Sequence, residues 1–248
     1  MSTYLACRLM YKFTYVLRIS RFYYVPRAAH TFGAALHRAL DEYHRAGGAE
    51  TQSASQLVDR LHDTWASLGY SSAEEEQDYL RSAESYLRQY HNEHRIEGAR
   101  TLLTEKQLRC DMGEFVLVGR IDRLDEHADG RIEVIDYKSG RLTVAEEDVR
   151  SDLPMGIYAY LAHRTYPGRE ICATIFALRT AARATACFGG EQFAGIESAV
   201  RAAAREIAEI DEDTEIEPVF LSDVCPKCNY LRLCARRAGW ETPAPETG

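Results

Sequence analysis

Two short motifs near the middle of the chain constrain its fold more than any other feature. Gly119–Asp122 (G-R-I-D) closes a segment, 115–121, that is rich in Val, Phe and Leu, and Ile135–Lys138 (I-D-Y-K) closes a second apolar segment that begins at Ile132. Both segments have the composition of β-strands. The stretch between them, 126–130, ends in Asp-Gly, which is typical of tight hairpin turns. The pattern predicts an antiparallel hairpin.

This hairpin is expected to bring acidic and basic side chains together. Because side chains alternate between the two faces of a strand, Asp136 and Lys138 point to one face and Tyr137 to the other. Antiparallel pairing places Asp122 near Asp136. Two carboxylates and a lysine are the smallest set of side chains that hydrolysis of a phosphodiester bond with a divalent metal ion requires. Acid–base pairs at strand ends are often solvated surface pairs, but the two motifs in this order favour the functional interpretation.

The charge of the chain is unevenly distributed. Its net charge is −8, yet residues 1–40 contain no Asp or Glu, and neither do residues 225–240. The bases of these two segments are Arg8, Lys12, Arg18, Arg21, Arg27, Arg38, Lys227, Arg232, Arg236 and Arg237. The acid is concentrated in 74–78 and 211–217. Phosphate binding needs a local basic surface rather than a basic total, so the two ends permit DNA binding. The alternative is that these bases are scattered over a solvated surface.

Apolar periodicity and strand composition predict the order of the elements. The expected helices are 31–45, 53–68, 72–94, 144–166 and 193–210, and the expected strands are 102–110, 115–121, 132–135, 171–178 and 184–188. They define an α/β fold with a central mixed sheet, flanking helices and a helical insertion early in the chain, at about 34–100. We place a single domain at 1–240 and a disordered tail at 241–248.

The composition is ordinary for a soluble globular protein, with 46% hydrophobic and 27% charged residues. No apolar run approaches the length of a transmembrane span. Bases interrupt the aromatic and aliphatic N-terminus, which is therefore neither a signal peptide nor a membrane span. We expect a cytoplasmic protein.

Three cysteines, Cys225, Cys228 and Cys234, crowd into a short segment near the C-terminus. Seven cysteines in a chain without a secretion signal argue against a disulfide framework. Three neighbouring thiolates suit zinc or an iron–sulfur cluster, and both usually take four ligands. The candidates for the fourth ligand are Cys7, Cys110, Cys172 and Cys187. Cys7 is favoured because it lies in the acid-free N-terminus, whereas the others fall in or beside predicted strands, where cysteine is usually a buried hydrophobe. Spacing alone does not choose between zinc and iron–sulfur.

Together these features resemble the RecB-like branch of the PD-(D/E)XK nuclease superfamily, in its four-cysteine form. The branch includes DNA-repair exonucleases of the AddB kind and CRISPR-associated adaptation nucleases. The matching motifs, in chain order, are Cys7 with the aromatic and basic residues after it, the G-x-x-x-H of Gly33–His37, the G-x-x-D of Gly119–Asp122, the D-x-K of Asp136–Lys138 and the C-terminal cysteines. The match covers nearly the whole chain. It implies a restriction-endonuclease-like fold with an iron–sulfur-stapled C-terminus.

The resemblance implies a metal-dependent deoxyribonuclease, and more narrowly an exonuclease of DNA repair or recombination. The expected substrate is DNA, single-stranded or at duplex ends, and the expected partner is a helicase or another DNA-processing protein. The resemblance also implies a four-iron–four-sulfur cluster that pins the two ends of the chain together, with the ligands Cys7, Cys225, Cys228 and Cys234. Glu105, on the strand before the hairpin, is a further candidate carboxylate of the active site.

The resemblance assigns roles to the motif residues. Asp122 and Asp136 are expected to bind Mg²⁺ or Mn²⁺, which favour oxygen ligands. His37 is expected to complete the metal shell. Lys138 is expected to orient the attacking water and to stabilise the transition state. Tyr158 is expected to place Lys138 or the scissile phosphate.

Two departures from the family pattern affect these expectations. The family carries a Q-x-x-x-Y helix after the hairpin; Tyr158 matches, but Pro154 stands where the glutamine is expected. This change predicts altered DNA placement or lower activity. Relatives also carry a short helix before the first cysteine, whereas Cys7 lies close to the first residue, which predicts a truncated start or a piece of a longer protein.

Two other functions are compatible with the sequence. A catalytically weak DNA-binding module keeps the fold and the cluster, and Pro154 favours it. A zinc-stapled structural or interaction domain would carry the carboxylates as surface charge. Within the nuclease interpretation, DNA repair and CRISPR adaptation both remain open.

Overall fold

The structure is a computed structural model that describes residues 1–93 and 99–240. The expected tail at 241–248 lies outside the described residues. The helices are α1 (Ser2–Ala6), α2 (Arg8–Tyr11), α3 (Ser20–Tyr23), α4 (Ala28–Arg45), α5 (Ala54–Thr64), α6 (Ala73–Glu93), α7 (Glu146–Ser151), α8 (Leu153–Thr165), α9 (Gly190–Ala208) and α10 (Leu231–Ala238). The strands are β1 (Arg100–Asp111), β2 (Val116–Glu126), β3 (Ile132–Lys138), β4 (Ile171–Ala177) and β5 (Ala182–Phe188). A π-helical turn, Lys12–Val16, follows α2, and short 3-10 turns form at Gly48–Glu50 and Cys225–Lys227.

The chain forms two compact units. One contains Met1–Val25 and the chain from Ser198 onward, and the other contains Pro26–Glu197. The second holds the whole sheet. Among the described helices, none combines the length and the apolar character that crossing a bilayer requires.

The sheet confirms the predicted mixed α/β fold. Its five strands lie side by side in sequence order. Neighbouring strands are antiparallel, except that β3 and β4 are parallel. Parallel neighbours need a crossover connection, and α7 and α8 supply it. The hairpin predicted from the two central motifs is formed by β2 and β3.

Helices cover the sheet on both faces. On one face, α4, α5 and α6 form a layer whose buried leucines pack against Ile135, Tyr137 and Phe176 of the sheet. On the other face, α8 lies against the first four strands. Because side chains alternate along β3, Tyr137 points into the three-helix layer while Asp136 points away from it.

Two differences from the sequence-based prediction bear on the site. The single helix expected at 144–166 is broken into α7 and α8, because Asp152 leaves the helical conformation and its side chain accepts a hydrogen bond from the Met155 N–H at 3.0 Å. Pro154 then fits the first turn of α8, where its missing N–H costs nothing. β2 runs on to Glu126, so Asp122 lies inside the strand and not at its end.

The cysteines of the sheet were interpreted incompletely from the sequence. Cys172 and Cys187 face each other across β4 and β5 and form a disulfide. The sequence argued against a disulfide framework and did not predict this single disulfide, because the register of two strands places the thiols together and spacing in the sequence does not reveal it. Both sulfurs are part of this disulfide, so neither residue can be the fourth ligand of a centre held by the three C-terminal cysteines. Cys110 is a buried free thiol in β1.

The unit made of the two chain ends has its own small core. The buried residues of this core cluster are Leu9, Phe13 and Tyr230. Lys12 is also buried, and its ammonium group donates to the carbonyl oxygens of Glu212 and Thr214 at 2.7 and 2.6 Å. A short helix, α1, does precede Cys7.

Candidate active site

The candidate site lies where β2 and β3 stop pairing. The last ladder pair in that direction is Arg123 with Ile135, so Asp122 and Asp136 face each other one step beyond it. On the other side of β2, Glu105 lies opposite Asp122, between the ladder pairs formed by its two neighbours in β1. Sheet register therefore collects three carboxylates at one place.

Helix α4 adds a histidine to these carboxylates. The Nδ1 atom of His37 lies 3.3 Å from an oxygen of Glu105 and 3.3 Å from an oxygen of Asp122. One ligand atom from each of the three residues lies within 4.8 Å of the others. An imidazole with two carboxylates is a donor set that suits a divalent cation such as Mn²⁺.

The backbone of Tyr137 holds two members of this trio. Its N–H donates to Asp122 Oδ2 at 2.8 Å, and its carbonyl oxygen lies 3.1 Å from His37 Nε2. A histidine that binds a metal commonly donates its other ring N–H to a carbonyl or carboxylate, which fixes the ring. The Tyr137 peptide groups thus orient His37 and Asp122 from one residue of β3.

The two carboxylates change the acid–base properties of His37. Burial lowers the pKa of His37, but hydrogen bonds and charges from Asp122 and Glu105 outweigh burial and raise it from 6.5 to about 10. Burial alone would raise the pKa of Glu105, yet hydrogen bonds and charges from His37 and Arg120 hold it below its ordinary value. The imidazolium therefore occupies the position that a cation would take.

Asp136 and Lys138 lie beside the trio. Lys138 Nζ is 2.8 Å from Asp136 Oδ2, at ion-pair distance. Apart from this ion-pair contact, the buried oxygen has no hydrogen-bond partner within the described residues. Burial, and then the charge of Asp122, raise the pKa of Asp136 to about 6. A buried oxygen atom without a hydrogen-bond partner, next to another carboxylate, fits a missing cation.

Tyr158 reaches the same acidic group from α8. Burial, followed by the charges of Asp136 and Asp122, raises the pKa of Tyr158 to about 12. Its hydroxyl therefore keeps its proton at neutral pH and can donate a hydrogen bond. Pro154 lies one turn earlier in α8, in the place where the resemblance expects a glutamine, and its ring has no polar group to offer.

The glycines of the two motifs permit close packing around the site. A Cβ atom on Gly119 would lie 2.7 Å from Leu161 Cδ1 and 3.1 Å from the Tyr158 ring. A Cβ atom on Gly33 would lie 3.3 Å from the hydroxyl oxygen of Ser139, just after Lys138. Glycine at these positions lets α8 approach β2 and lets α4 approach the end of β3.

Arg120 is a residue of the site that sequence reasoning missed. Its side chain is 69% exposed, and its Nε donates to Glu105 Oε2 at 2.7 Å. Glu105 therefore bridges His37 and Arg120, one through each oxygen. Arg120 is part of the G-R-I-D motif, so its place two residues before Asp122, on the same strand face, was a signal in the sequence.

A buried polar cluster lies behind β3. The hydroxyl of Tyr137 is 2.8 Å from that of Tyr90, which also accepts a hydrogen bond from Arg123 Nη1 at 2.8 Å. Arg123 is paired with the fully buried Asp125 through two hydrogen bonds. His44 Nε2 lies 2.7 Å from the Tyr90 hydroxyl. This cluster anchors the side chain of the residue whose backbone holds the candidate metal ligands.

The four predicted cluster cysteines all lie in the unit made of the chain ends. Burial, and then the charges of Cys228, Cys7 and Cys225, raise the pKa of Cys234 to about 11, as expected for neighbouring thiols. Backbone N–H groups point at three of the sulfurs: Met10 at Cys7, Leu221 at Cys225 and Tyr230 at Cys228, at 3.4, 3.2 and 3.4 Å.

The spacing of these sulfurs bears on the kind of centre. In the described part of the chain, no three of the four sulfurs lie within 4.8 Å of one another. A tetrahedral zinc site with bonds of about 2.3 Å would hold its sulfurs roughly 3.8 Å apart. The described residues therefore hold no compact three-cysteine zinc site, and the kind of centre stays a prediction.

A mixed sheet with carboxylates, a histidine and a lysine gathered on its first three strands and α4 is an arrangement that suits metal-dependent hydrolysis of phosphodiesters. The chain belongs to the PD-(D/E)XK nuclease superfamily, whose family model matches residues 1–235. Comparison with curated proteins gives no match. The superfamily is confirmed, and its members are nucleases that use divalent metal ions. Placement in the RecB-like branch stays a prediction.

Proposed function

We propose that the protein is a Mg²⁺- or Mn²⁺-dependent deoxyribonuclease, and more narrowly an exonuclease of DNA repair or recombination. The observation that carries the proposal is the convergence of His37, Glu105 and Asp122 beside the Asp136–Lys138 pair. These groups come from α4, β1, β2 and β3, so the fold itself assembles them. The arrangement gathers several carboxylates with a histidine and a lysine, and one of the carboxylates, Asp136, has a raised pKa, which is typical of functional sites.

The trio and Asp136 are the residues that would hold the cation. Bound there, a divalent metal ion would act as a Lewis acid toward the phosphate and would lower the pKa of a bound water molecule. As a ligand through Nδ1, His37 would be neutral, and its Nε2–H would donate to the Tyr137 carbonyl oxygen. The Asp136 oxygen that has no hydrogen-bond partner would be available as a further ligand.

Lys138 and Tyr158 act on the reacting groups. The ammonium group of Lys138 moves from Asp136 to the attacking water and the phosphate as the charge on the phosphate grows. The Tyr158 hydroxyl, which stays protonated, donates a hydrogen bond to the scissile phosphate or positions Lys138. Arg120 keeps Glu105 oriented, because its guanidinium binds the oxygen that does not face His37.

We further propose that Cys7, Cys225, Cys228 and Cys234 hold a four-iron–four-sulfur cluster with a structural role. Its contribution is to cross-link the first and last segments of the unit to which all four cysteines belong. The N–H groups directed at three sulfurs support this assignment. Zinc is the alternative, and elemental analysis separates the two metals.

Pro154 bears on the strength of the activity. A glutamine at this position would offer an amide to the DNA or to the site, and proline offers none. We therefore expect a modest turnover by the isolated chain and a helicase or another DNA-processing protein as its partner. Repair and CRISPR adaptation remain two settings for the same chemistry.

The test is cleavage of end-labelled single- and double-stranded DNA by anaerobically purified protein with Mn²⁺, Mg²⁺ or EDTA. Metal-dependent products are expected from the wild type and from Lys106→Ala, an exposed lysine of β1 that serves as the matched control. Lys138→Ala should give none. A ladder of single-nucleotide steps from one end would identify an exonuclease and its polarity. An iron-containing wild type that binds DNA but cuts none would favour the DNA-binding module.

A further inference from the structure

The segment at 15–25 exposes a large amount of aromatic surface. The side chains of Tyr15, Phe22 and Tyr24 are 53%, 68% and 57% exposed, and Val25 is 53% exposed. Large apolar side chains grouped on a surface commonly mark a binding site. These residues take no part in the candidate active site.

Packing against the core of the unit determines which rings of this segment are buried and which face solvent. Tyr23 points inward, with its ring centroid 5.7 Å from that of Tyr230. Its neighbours Phe22 and Tyr24 are left outside this core and are mostly exposed. α3 has only four residues, too short to lie on a membrane as an amphipathic helix.

Arginines accompany the exposed rings. The guanidinium of Arg21 lies over the Phe22 ring, 4.6 Å from its centroid. Arg18 is also exposed, and residues 1–40 contain no acidic residue that could neutralise either base. A ring with a guanidinium beside it offers a π face and a positive charge at the same place.

The second acid-free segment belongs to the same unit. The Tyr230 ring contacts Phe13, with centroids 5.2 Å apart, and α10 begins directly after Tyr230. The exposed bases of α10 are Arg232, Arg236 and Arg237. Both acid-free segments belong to one compact unit, which also carries the acidic run at 211–217. The positive charge that complements a polyanion is therefore local to the two segments.

We propose that Arg18, Arg21, Phe22 and Tyr24 form an arginine–aromatic surface that binds single-stranded DNA, with bases stacked on the rings and phosphates paired with the arginines. The choice of DNA rests on the proposed nuclease function. A single strand is favoured because a duplex hides the faces of its bases, whereas an unpaired base can stack on any accessible ring. Its residues are distinct from those of the candidate active site.

The test measures the affinity of full-length Lys138→Ala protein for a fluorescein-labelled oligothymidylate by anisotropy, in EDTA so that no strand is cut. Phe22→Leu removes the ring and keeps the apolar bulk, and Phe22→Tyr keeps the ring. Val25→Ala is the matched control, an exposed apolar residue of the same segment without a ring. An abasic oligomer of equal length keeps the phosphates and lacks the bases. Circular dichroism and iron content verify that each variant is folded.

Phe22→Leu is expected to weaken binding by about fivefold or more, the effect of one lost stacking contact. Phe22→Tyr and Val25→Ala should bind as the parent does. The abasic oligomer should bind weakly, and equally to the parent and to Phe22→Leu. Arg21→Ala should reduce the slope of log affinity against log salt concentration by about 0.7.

Equal affinity of the parent and Phe22→Leu for oligothymidylate would overturn the proposal, as would a loss of equal size with the abasic oligomer. If Phe22→Leu leaves DNA binding unchanged but abolishes self-association or binding to anionic vesicles, the surface serves a second copy or a lipid headgroup instead. If the wild type cuts no DNA but its binding still depends on the Phe22 ring, the nuclease function is wrong and this inference stands. If the wild type cuts DNA but Phe22→Leu does not change DNA binding, the nuclease function stands and this inference is wrong.

Discussion

The hydroxyl groups of Tyr90 and Tyr137 lie 2.8 Å apart on the buried side of β3. On the opposite side of the same strand, Asp136 and Lys138 face the candidate active site. The peptide groups of Tyr137 contact Asp122 and His37, so one residue connects the buried polar cluster to two candidate metal ligands. The cluster is therefore expected to position the site and to stabilise the fold at the same time.

Tyr137→Phe should weaken metal binding without touching a ligand. The change leaves the Tyr90 hydroxyl and Arg123 with one partner fewer in a buried place, which is expected to cost about 1–3 kcal/mol of unfolding free energy. It also loosens the strand that holds His37 and Asp122. Urea denaturation and Mn²⁺ titration measure the two effects.

The matched control for this substitution is Tyr70→Phe. The Tyr70 hydroxyl is buried and, within the described residues, has no hydrogen-bond partner, so its removal should leave stability unchanged or raise it. If Tyr137→Phe alters stability but leaves Mn²⁺ affinity unchanged, the cluster supports only the fold.

Metal binding should strengthen as the pH rises. Burial lowers the pKa of His37, but Asp122 and Glu105 outweigh it and raise the pKa to about 10, so at neutral pH a cation must displace a proton. Affinity for Mn²⁺ is expected to increase by up to about tenfold per pH unit between 6 and 9. Without metal, the same raised pKa stabilises the fold fully below pH 6.5, and this contribution is lost as the pH rises through about 10.

Calorimetry in buffers of different ionisation enthalpy counts the protons released when Mn²⁺ binds. In His37→Ala the number should fall by about one. An unchanged proton count would contradict the assignment of His37 as a ligand.

Asp136→Asn should abolish cleavage and stabilise the metal-free protein. Burial and the charge of Asp122 raise the pKa of Asp136 from 3.8 to about 6. The folded state therefore loses stability as the pH rises from 3.8 to 6, and the loss persists above 6. Removing the charge should regain about 1–3 kcal/mol at pH 7.5. Urea denaturation in EDTA measures this gain.

The exposed Asp59 of α5 provides the control for that experiment. Asp59→Asn should change neither stability nor cleavage. With Mn²⁺ present, the wild type should gain stability and Asp136→Asn should gain less. Wild-type stability above that of Asp136→Asn in EDTA would contradict the prediction.

Gly119→Ala should disturb Tyr158 through simple crowding. The added methyl group would lie 2.7 Å from Leu161 Cδ1 and 3.1 Å from the Tyr158 ring, so these two side chains of α8 must shift. We expect a loss of about 1–3 kcal/mol of unfolding free energy together with reduced turnover. Gly195→Ala in α9 is the control, since its Cβ atom meets nothing within 4 Å and alanine favours the helix.

Cys225→Ala should remove iron and destabilise the unit of the two chain ends, while the sheet unit stays folded. Iron content, absorbance and limited proteolysis measure these effects. Cys110→Ala, which changes a buried free thiol of β1, should keep its iron. Iron retained in Cys225→Ala, or zinc in the wild type, would contradict the cluster assignment.

The sequence predicted the parts of this fold that depend on local pattern. Alternation along the two central strands and an Asp-Gly turn were sufficient to bring Asp122 and Asp136 together, and strand composition was sufficient for the sheet. The break between α7 and α8 also has a local signal, because Asp152 caps α8 two residues before Pro154. It was missed because the helical spacing of apolar residues continues through the break.

Contacts between distant segments were beyond such patterns. Nothing near His37 in the sequence indicates Glu105 or the Tyr137 carbonyl, and only the family resemblance assigned this histidine a role. The disulfide between Cys172 and Cys187 depends on the register of two strands. Arg120 was passed over because an exposed arginine on a strand is common and because its partner, Glu105, lies on the neighbouring strand β1.

The discontinuous unit sets an order of events during synthesis. Cys7 belongs to the same unit as Cys225, Cys228 and Cys234, although 218 positions separate Cys7 from Cys225. At about 5–20 residues per second, Cys7 leaves the ribosome roughly 10 to 40 s before its partners. The sheet unit can fold during that interval, whereas the terminal unit must wait for its second half. The proposed cluster could therefore be inserted only after Cys234 has been synthesised, and until then the Cys7 thiol would be open to oxidation.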